Sequence, residues 1–342
     1  MRRAMATLAL ALAAAPAAAW AYPIPPETLW GLTEKADLVA VASVERFHDG
    51  VRYPKTFKAA LPLVEEKAQD GARRDHGQPW VRLKIESVVA GPAVAAVDVR
   101  TFAGMICPAP PNFQADRKML VFLRRDKWSW SVVSLSYGTL YPTDAERPLF
   151  VALVQKAAAL QAGGRVRPED RVEWLVSAAE HRATRWHGLY ALGRELDEHS
   201  FYDSAPPERL PSLTVSQQDR LAKAFMAEPS TDATLPVTLK LLGKMKDPRL
   251  DATLIGAFET SLAHGDNSPG ELLGVLRLLL LRFAPEGRVK ALLPEVKGDE
   301  GPSVTQLEKA WREARETLKL PAGTRVDPVE GRVPGVGQDT PF

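Results

Sequence analysis

Two periodicities divide the chain. From Val81 to Tyr141 apolar residues recur with period two, and beyond Tyr141 the period is near four and never changes back. Val81-Arg82-Leu83-Lys84-Ile85-Glu86 alternates apolar with charged residues, which predicts a strand with one buried and one wet face. Gly91-Pro92 is a turn, and Val97-Asp98-Val99-Arg100-Thr101 alternates again. Met119-Leu120-Val121-Phe122-Leu123 is apolar on both faces, the pattern of a central strand. Arg125-Asp126-Lys127 then turns into Trp128-Ser129-Trp130-Ser131-Val132, which completes a hairpin. Ahead of this unit, Pro26 to Ala36 predicts a short helix held by Leu29, Trp30 and Leu32. Asp37 to Val44 is β-branched and unalternating, a strand covered on both sides. Part of another strand is expected near Thr56 to Leu61. Residues 64–79 are polar and charged without an apolar period, and predict a mobile insertion.

Past Tyr141 the helices announce themselves by their starts. Asp144 to Ala162 stops at Gly163-Gly164, and Pro168 opens a helix with Val172, Leu175, Val176 and Ala179 on one stripe. Trp186, Leu189, Tyr190 and Gly193 line the next. After a long connection from Asp197 to Leu213, Ser216 is expected to cap a helix through Ala227. Thr231 to Lys246 follows, with Pro236 tolerable only in a first turn. Asp247-Pro248 and Ser268-Pro269 each read as a cap followed by Pro at the first helical position. Leu250, Leu254, Phe258 and Leu262 share one face. Leu272 to Phe283 is apolar nearly all round, yet too short and too interrupted by Arg277 and Arg282 to cross a membrane. Ser303 with Gln306 forms a last capping box ahead of Leu307, Trp311 and Ala314. Residues 321–342 are dominated by Pro and Gly and predict a disordered tail.

Composition adds a compartment. Arg2-Arg3, an Ala/Leu run from Ala4 to Ala15 and the small residues Ala19 and Ala21 make a three-part export signal, with signal-peptidase cleavage expected after Ala21. The segment 1–21 is thus expected to be removed, giving an exported protein of the general secretory route, periplasmic or extracellular. Without Arg2 and Arg3, 42 basic residues face 42 acidic ones. A balanced, interspersed charge gives no electrostatic reason to bind nucleic acid. Cys107 is the sole cysteine, so no disulfide can form within the chain; it reads as a small buried hydrophobe, with intermolecular pairing or a reactive thiol left open.

The order of motifs carries a resemblance. Ala36-Asp37-Leu38-Val39, a strand ending at Gly91-Pro92, a further strand, Cys107 and then Leu120-Val121-Phe122-Leu123 resemble bacterial secreted domains related to the tissue-inhibitor-of-metalloproteinase and netrin modules. The resemblance implies an OB-type five-stranded barrel. The animal inhibitors chelate zinc through a cysteine at the mature N-terminus. Here Tyr22 is expected at that position, so the resemblance does not imply that mechanism. In the second half, Arg185 to Gly193, with an Arg ahead of Ala191-Leu192-Gly193, resembles the second half of a HEAT repeat, and Asp247-Pro248-Arg249 its opening turn. Paired helices every ~30 to 45 residues fit such an array. The expected class is therefore α+β with two domains: an OB-like antiparallel β-barrel over residues 22–141, and an all-α HEAT-like stack over 142–320.

Candidate chemistry is sparse. The six histidines show no H-E-x-x-H or H-x-H spacing, and His181 and His187 read as residues of a helix junction. Asp266-Asn267-Ser268-Pro269 reads as a turn and cap. No G-x-S-x-G, Walker A or G-x-G-x-x-G motif occurs. The sequence thus assigns no catalytic residue, cofactor or metal. Trp128 and Trp130, two apart on one strand face, with Arg124 and Arg125 beside them, are the candidate binding residues. That face either packs on the core and helices, the favoured outcome, or stands open as a platform. The expected function is an exported non-catalytic scaffold for another envelope or secreted protein. The alternatives are an exported enzyme with its site in the groove between the domains, or an envelope glycan binder.

Overall fold

Strand β1 (Leu38–Phe47) and strand β4 (Met119–Arg125) carry apolar residues at consecutive positions because both of their faces are covered. In β4, Met119, Val121 and Leu123 point into a barrel, where they meet Leu38, Ala40, Ala42 and Val44 of β1. Leu120 and Phe122 point out, join Val39 and Val41, and pack against helices. The computed structural model describes residues 26–47, 80–101, 110–126, 129–193, 209–264, 267–295 and 301–328. The export signal with Ala19 and Ala21, the strand expected at 56–61, the insertion 64–79, Cys107, Trp128 and residues 329–342 lie outside them.

The barrel closes through β2 (Trp80–Ala90), β3 (Ala96–Arg100) and β5 (Trp130–Val132). β1 pairs antiparallel with β2 and with β4, β2 with β3, and β4 with β5. β3 and β5 run parallel, with Val99 opposite Trp130. The expected all-antiparallel barrel is corrected at this seam, and parity gives the reason. Five strands in a ring cannot alternate direction throughout, so one neighbouring pair must be parallel. A two-residue strand β6 (Thr139–Leu140) adds to β4. Tyr141 plugs the interior: its hydroxyl donates to Asn112 O at 2.6 Å and accepts from Gln114 N at 2.8 Å, and burial pushes its pKa up.

Helix α1 (Leu29–Lys35) wedges between the barrel and the second half, against α2 (Arg147–Ala162). The remaining helices are α3 (Pro168–Ala179), α4 (Arg185–Gly193), α5 (Val215–Ala227), α6 (Leu235–Leu242), α7 (Pro248–His264), α8 (Pro269–Phe283), α9 (Glu286–Leu292) and α10 (Val304–Leu318). They form two layers: α3, α5 and α7 lie side by side in one, and α4, α6 and α8 in the other. Two buried arginines tie successive turns together. Arg185 donates to the carbonyls of Ala179, Ala224 and Glu228 and to Ser230, and Arg282 donates to Leu242 O and Gly243 O while pairing with Asp251. Each supplies further donors to carbonyls at helix ends, where acceptors outnumber the backbone N–H groups that could satisfy them.

The helical expectations need several corrections. The cap of α5 is Thr214, not Ser216, because Thr214 and Gln217 complete a reciprocal box. α6 begins at Leu235 rather than Thr231, since Asp232 holds the preceding residues in a turn by accepting from Thr234 N and Oγ1. α8 is not buried all round; Leu281 is 38% exposed. α3 buries Trp174 and Ala178 as well as its expected stripe, because other helices flank it on three sides. The tail expected from Pro321 starts as a packed strap. Lys319 adopts a left-handed conformation (φ 50°) and reverses the chain, which then runs along α7. Thr324 N donates to Ala252 O at 2.9 Å, Thr260 Oγ1 donates to Val326 O at 2.9 Å, and Val326 is buried. Gly256 makes this possible: a Cβ there would stand 1.8 Å from Thr324 O. Nor does packing break at Tyr141. One apolar cluster runs from Trp30, Val41 and Phe122 through Trp174 and Leu254 to Trp311.

Candidate functional site

Two of the four residues singled out from sequence, Arg125 and Trp130, meet at one rim of the barrel, where the start of β1, the end of β4 and the β2–β3 turn converge. Arg124 lies opposite Ser131 on the other face of β4, and Trp128 lies outside the described residues. The rim is fixed by backbone chemistry. Asp37 N donates to Leu123 O at 2.8 Å, and the Asp37 carboxylate accepts from Arg125 N at 2.7 Å, so one residue ends the β1–β4 ladder from both directions. Gly91 lies in the positive-φ region (φ 104°), where a Cβ would meet Asp37 O at 2.4 Å. Only glycine lets the Gly91-Pro92 turn settle there. Asp126 N donates to Ser129 O at 2.8 Å and closes the hairpin.

On this frame the register sets Arg125 opposite Trp130, and the Arg125 guanidinium lies over the indole, 5.8 Å from the ring centre. Trp130 is half-buried: part of it packs against the buried cluster of the barrel interior, and the rest lines a shallow open concavity with Asp37, Pro92, Arg125 and Asp126. Of the two expected outcomes, a face packed on the core or helices and an open platform, Trp130 shows part of each. Arg124 and Arg125 are exposed, and no described carboxylate pairs with either guanidinium. The rim offers a supported ring face, the unspent guanidinium of Arg125 and two carboxylates.

A second cluster, missed at the sequence level, joins the halves. Trp30 of α1 meets Trp174 of α3 edge-on at 5.2 Å, Trp174 Nε1 donates to Leu153 O at 2.9 Å, and Gln161 donates to Trp30 O at 3.1 Å. His187 in α4 is buried against Phe150 and Trp186, and its Nδ1 accepts from Leu29 N at 3.3 Å. That bond requires a neutral ring with its proton on Nε2, which has no partner among the described residues. Burial lowers the His187 pKa from 6.5 to about 3. His187 is thus a joint between α1 and α4, while His181 is exposed ahead of a short 3₁₀ turn. Asn267 donates to Thr231 O, and Ser268 with Glu271 caps α8. Among the described residues no cluster of three or more His, Cys, Asp or Glu side chains is placed to hold a metal ion, and no helix is long and apolar enough to cross a membrane. Comparison with protein-family models, with curated proteins and with solved structures finds no match.

Proposed function

We propose that this is an exported, non-catalytic binding protein that uses the barrel rim around Trp130 and Arg125 to hold another envelope or secreted protein. The carrying observation is the pair itself: a tryptophan half-packed on the barrel core, with an unspent arginine laid over it. Trp and Arg dominate binding hot spots, and a hot spot works best when the side chain is already ordered before the partner arrives. Here the ordering comes from Asp37 and Gly91, which fix the backbone beneath.

The proposal extends to the finer fold. The strand order β1-β2-β3-β5-β4, closing back on β1, supports an OB-type barrel of the netrin-related kind. The two helical layers and the repeated buried arginines support a short HEAT-like array, and such arrays elsewhere serve as scaffolds. Shared packing through Trp30 and Trp174 makes one rigid support out of both halves. The test is affinity capture from the envelope fraction with the chain starting at Tyr22, run beside Trp130→Ala and Arg125→Ala. A partner retained by the parent chain and lost from both variants is expected. Equal capture by all three, with all three folded, would refute the rim as the binding surface.

A further inference from the structure

The rim's electrostatics narrow the chemistry of what it holds; this inference rests on the binding role proposed above. An arginine stacked on an aromatic ring keeps its in-plane N–H donors free, and those donors match a carboxylate in bidentate fashion. Arg125 is in that state. Its backbone N is already bonded to the Asp37 carboxylate, so Asp37 is spent on the strand end and not on the guanidinium. Asp126 belongs to the closing turn and makes no ion pair with Arg125. A cation held over an indole beside two carboxylates, and paired with neither, is a donor set in want of an acceptor.

The surrounding charge then selects among acceptors. At the rim Arg125 stands beside the carboxylates of Asp37 and Asp126, so there is no net positive field with which to gather a polyanion. A dianionic phosphate would gain one arginine fork and face two carboxylates. A singly charged carboxylate gains the same fork at half that repulsion. The ring face beside the fork suits an apolar neighbour of that carboxylate. We infer that the rim binds a protein segment carrying a Glu or Asp side chain next to an apolar residue, with the carboxylate on Arg125 and the apolar side chain on Trp130.

The experiment uses the full chain from Tyr22 and follows the indole N–H signal of Trp130 by NMR, assigned with Trp130→Phe. The probes are a blocked Gly-Gly-Glu-Val-Gly-Gly peptide, its Gln counterpart, its phosphoserine counterpart, inorganic phosphate and cellohexaose as a neutral glycan. The Glu peptide should shift the Trp130 signal in a saturable way, and the Gln peptide should bind about tenfold more weakly or worse. Arg125→Lys keeps the charge but not the fork, and should weaken the Glu peptide by a similar factor while the other indole signals stay in place. Equal binding of the Gln peptide, tighter binding of the phosphoserine peptide or of phosphate, or a response to cellohexaose alone would overturn the inference. If no peptide binds while capture of the envelope partner still needs Trp130, the carboxylate inference falls and the binding role stands.

Discussion

His187 makes the joint between the two halves sensitive to acid, and the size of the effect follows from its surroundings. The ring is fully buried among Phe150, Trp186 and Leu29, and desolvation alone lowers its pKa to about 3 from 6.5. Below pH 6.5 the unfolded chain takes up a proton that the folded chain refuses. Protonation therefore favours unfolding: the folded state has its full stability above about pH 6.5 and loses it as pH falls toward 3. Each pH unit in that window costs about 1.4 kcal/mol, or about 2 kcal/mol by pH 5. Against a typical ~5–15 kcal/mol for a domain this is a large share. His187→Gln keeps an acceptor for Leu29 N but has nothing to titrate. Urea unfolding of both proteins, followed by far-UV circular dichroism from pH 7.5 to 4.5, isolates the histidine, because every other titrating group is common to the pair. The variant should be less stable at pH 7.5, where the lost ring packing dominates, and the gap should narrow or reverse as pH falls. A stability difference independent of pH would refute a neutral, buried His187.

Trp174→Ala removes a fully buried indole that touches Trp30, and should cost about 3–5 kcal/mol. Because that contact bridges the halves, near-UV and far-UV unfolding transitions of the parent chain should coincide, and two separated transitions would mean that the halves unfold independently. Gly256→Ala places a methyl where Thr324 O lies 1.8 Å away, so the strap should lift, trypsin cleavage after Arg325 should accelerate, and stability should drop by about 1–3 kcal/mol; cleavage at the parent rate would show that the strap is not held there. Arg282→Ala removes the donor shared by Asp251 and the carbonyls of Leu242, Gly243 and Met245, with a cost of about 3–5 kcal/mol, against under 1 kcal/mol for the exposed Arg277→Ala as control, both read by urea unfolding.

What the sequence revealed and what it hid divide along physical lines. Local chemistry was legible: the alternation of Val81 to Glu86, the unbroken apolar run at Met119 to Leu123, and the Pro-started helices at Pro168, Pro248 and Pro269 all correspond to observed elements. The hairpin itself was legible, but its register was not: the sequence pattern put Arg125 in the turn and began the return strand at Trp128, whereas β4 runs to Arg125 and β5 starts at Trp130 opposite it. Asp37 and Gly91 were not legible as parts of the same rim. Asp37 reaches it only through the β1–β4 register, and Gly91 only because its turn folds onto Asp37 O, neither of which any local pattern encodes. Trp174 escaped the α3 stripe because a helix with neighbours on three sides buries residues off its main face. Gly256 was a usable signal left unread: a glycine inside an otherwise regular helix often marks a close approach of backbone, and here the strap lies on it.

The most direct test of the binding role is a photo-crosslinking amino acid at Arg124, which is exposed and adjoins the rim without supporting it. The chain should be made in cells that export it and irradiated in place, beside a second version carrying the crosslinker at Val215, an exposed position on α5. One discrete protein adduct is expected from position 124, absent at 215 and abolished when Trp130→Ala is added. Adducts equally strong at both positions, or an adduct at 124 indifferent to Trp130, would contradict the binding role.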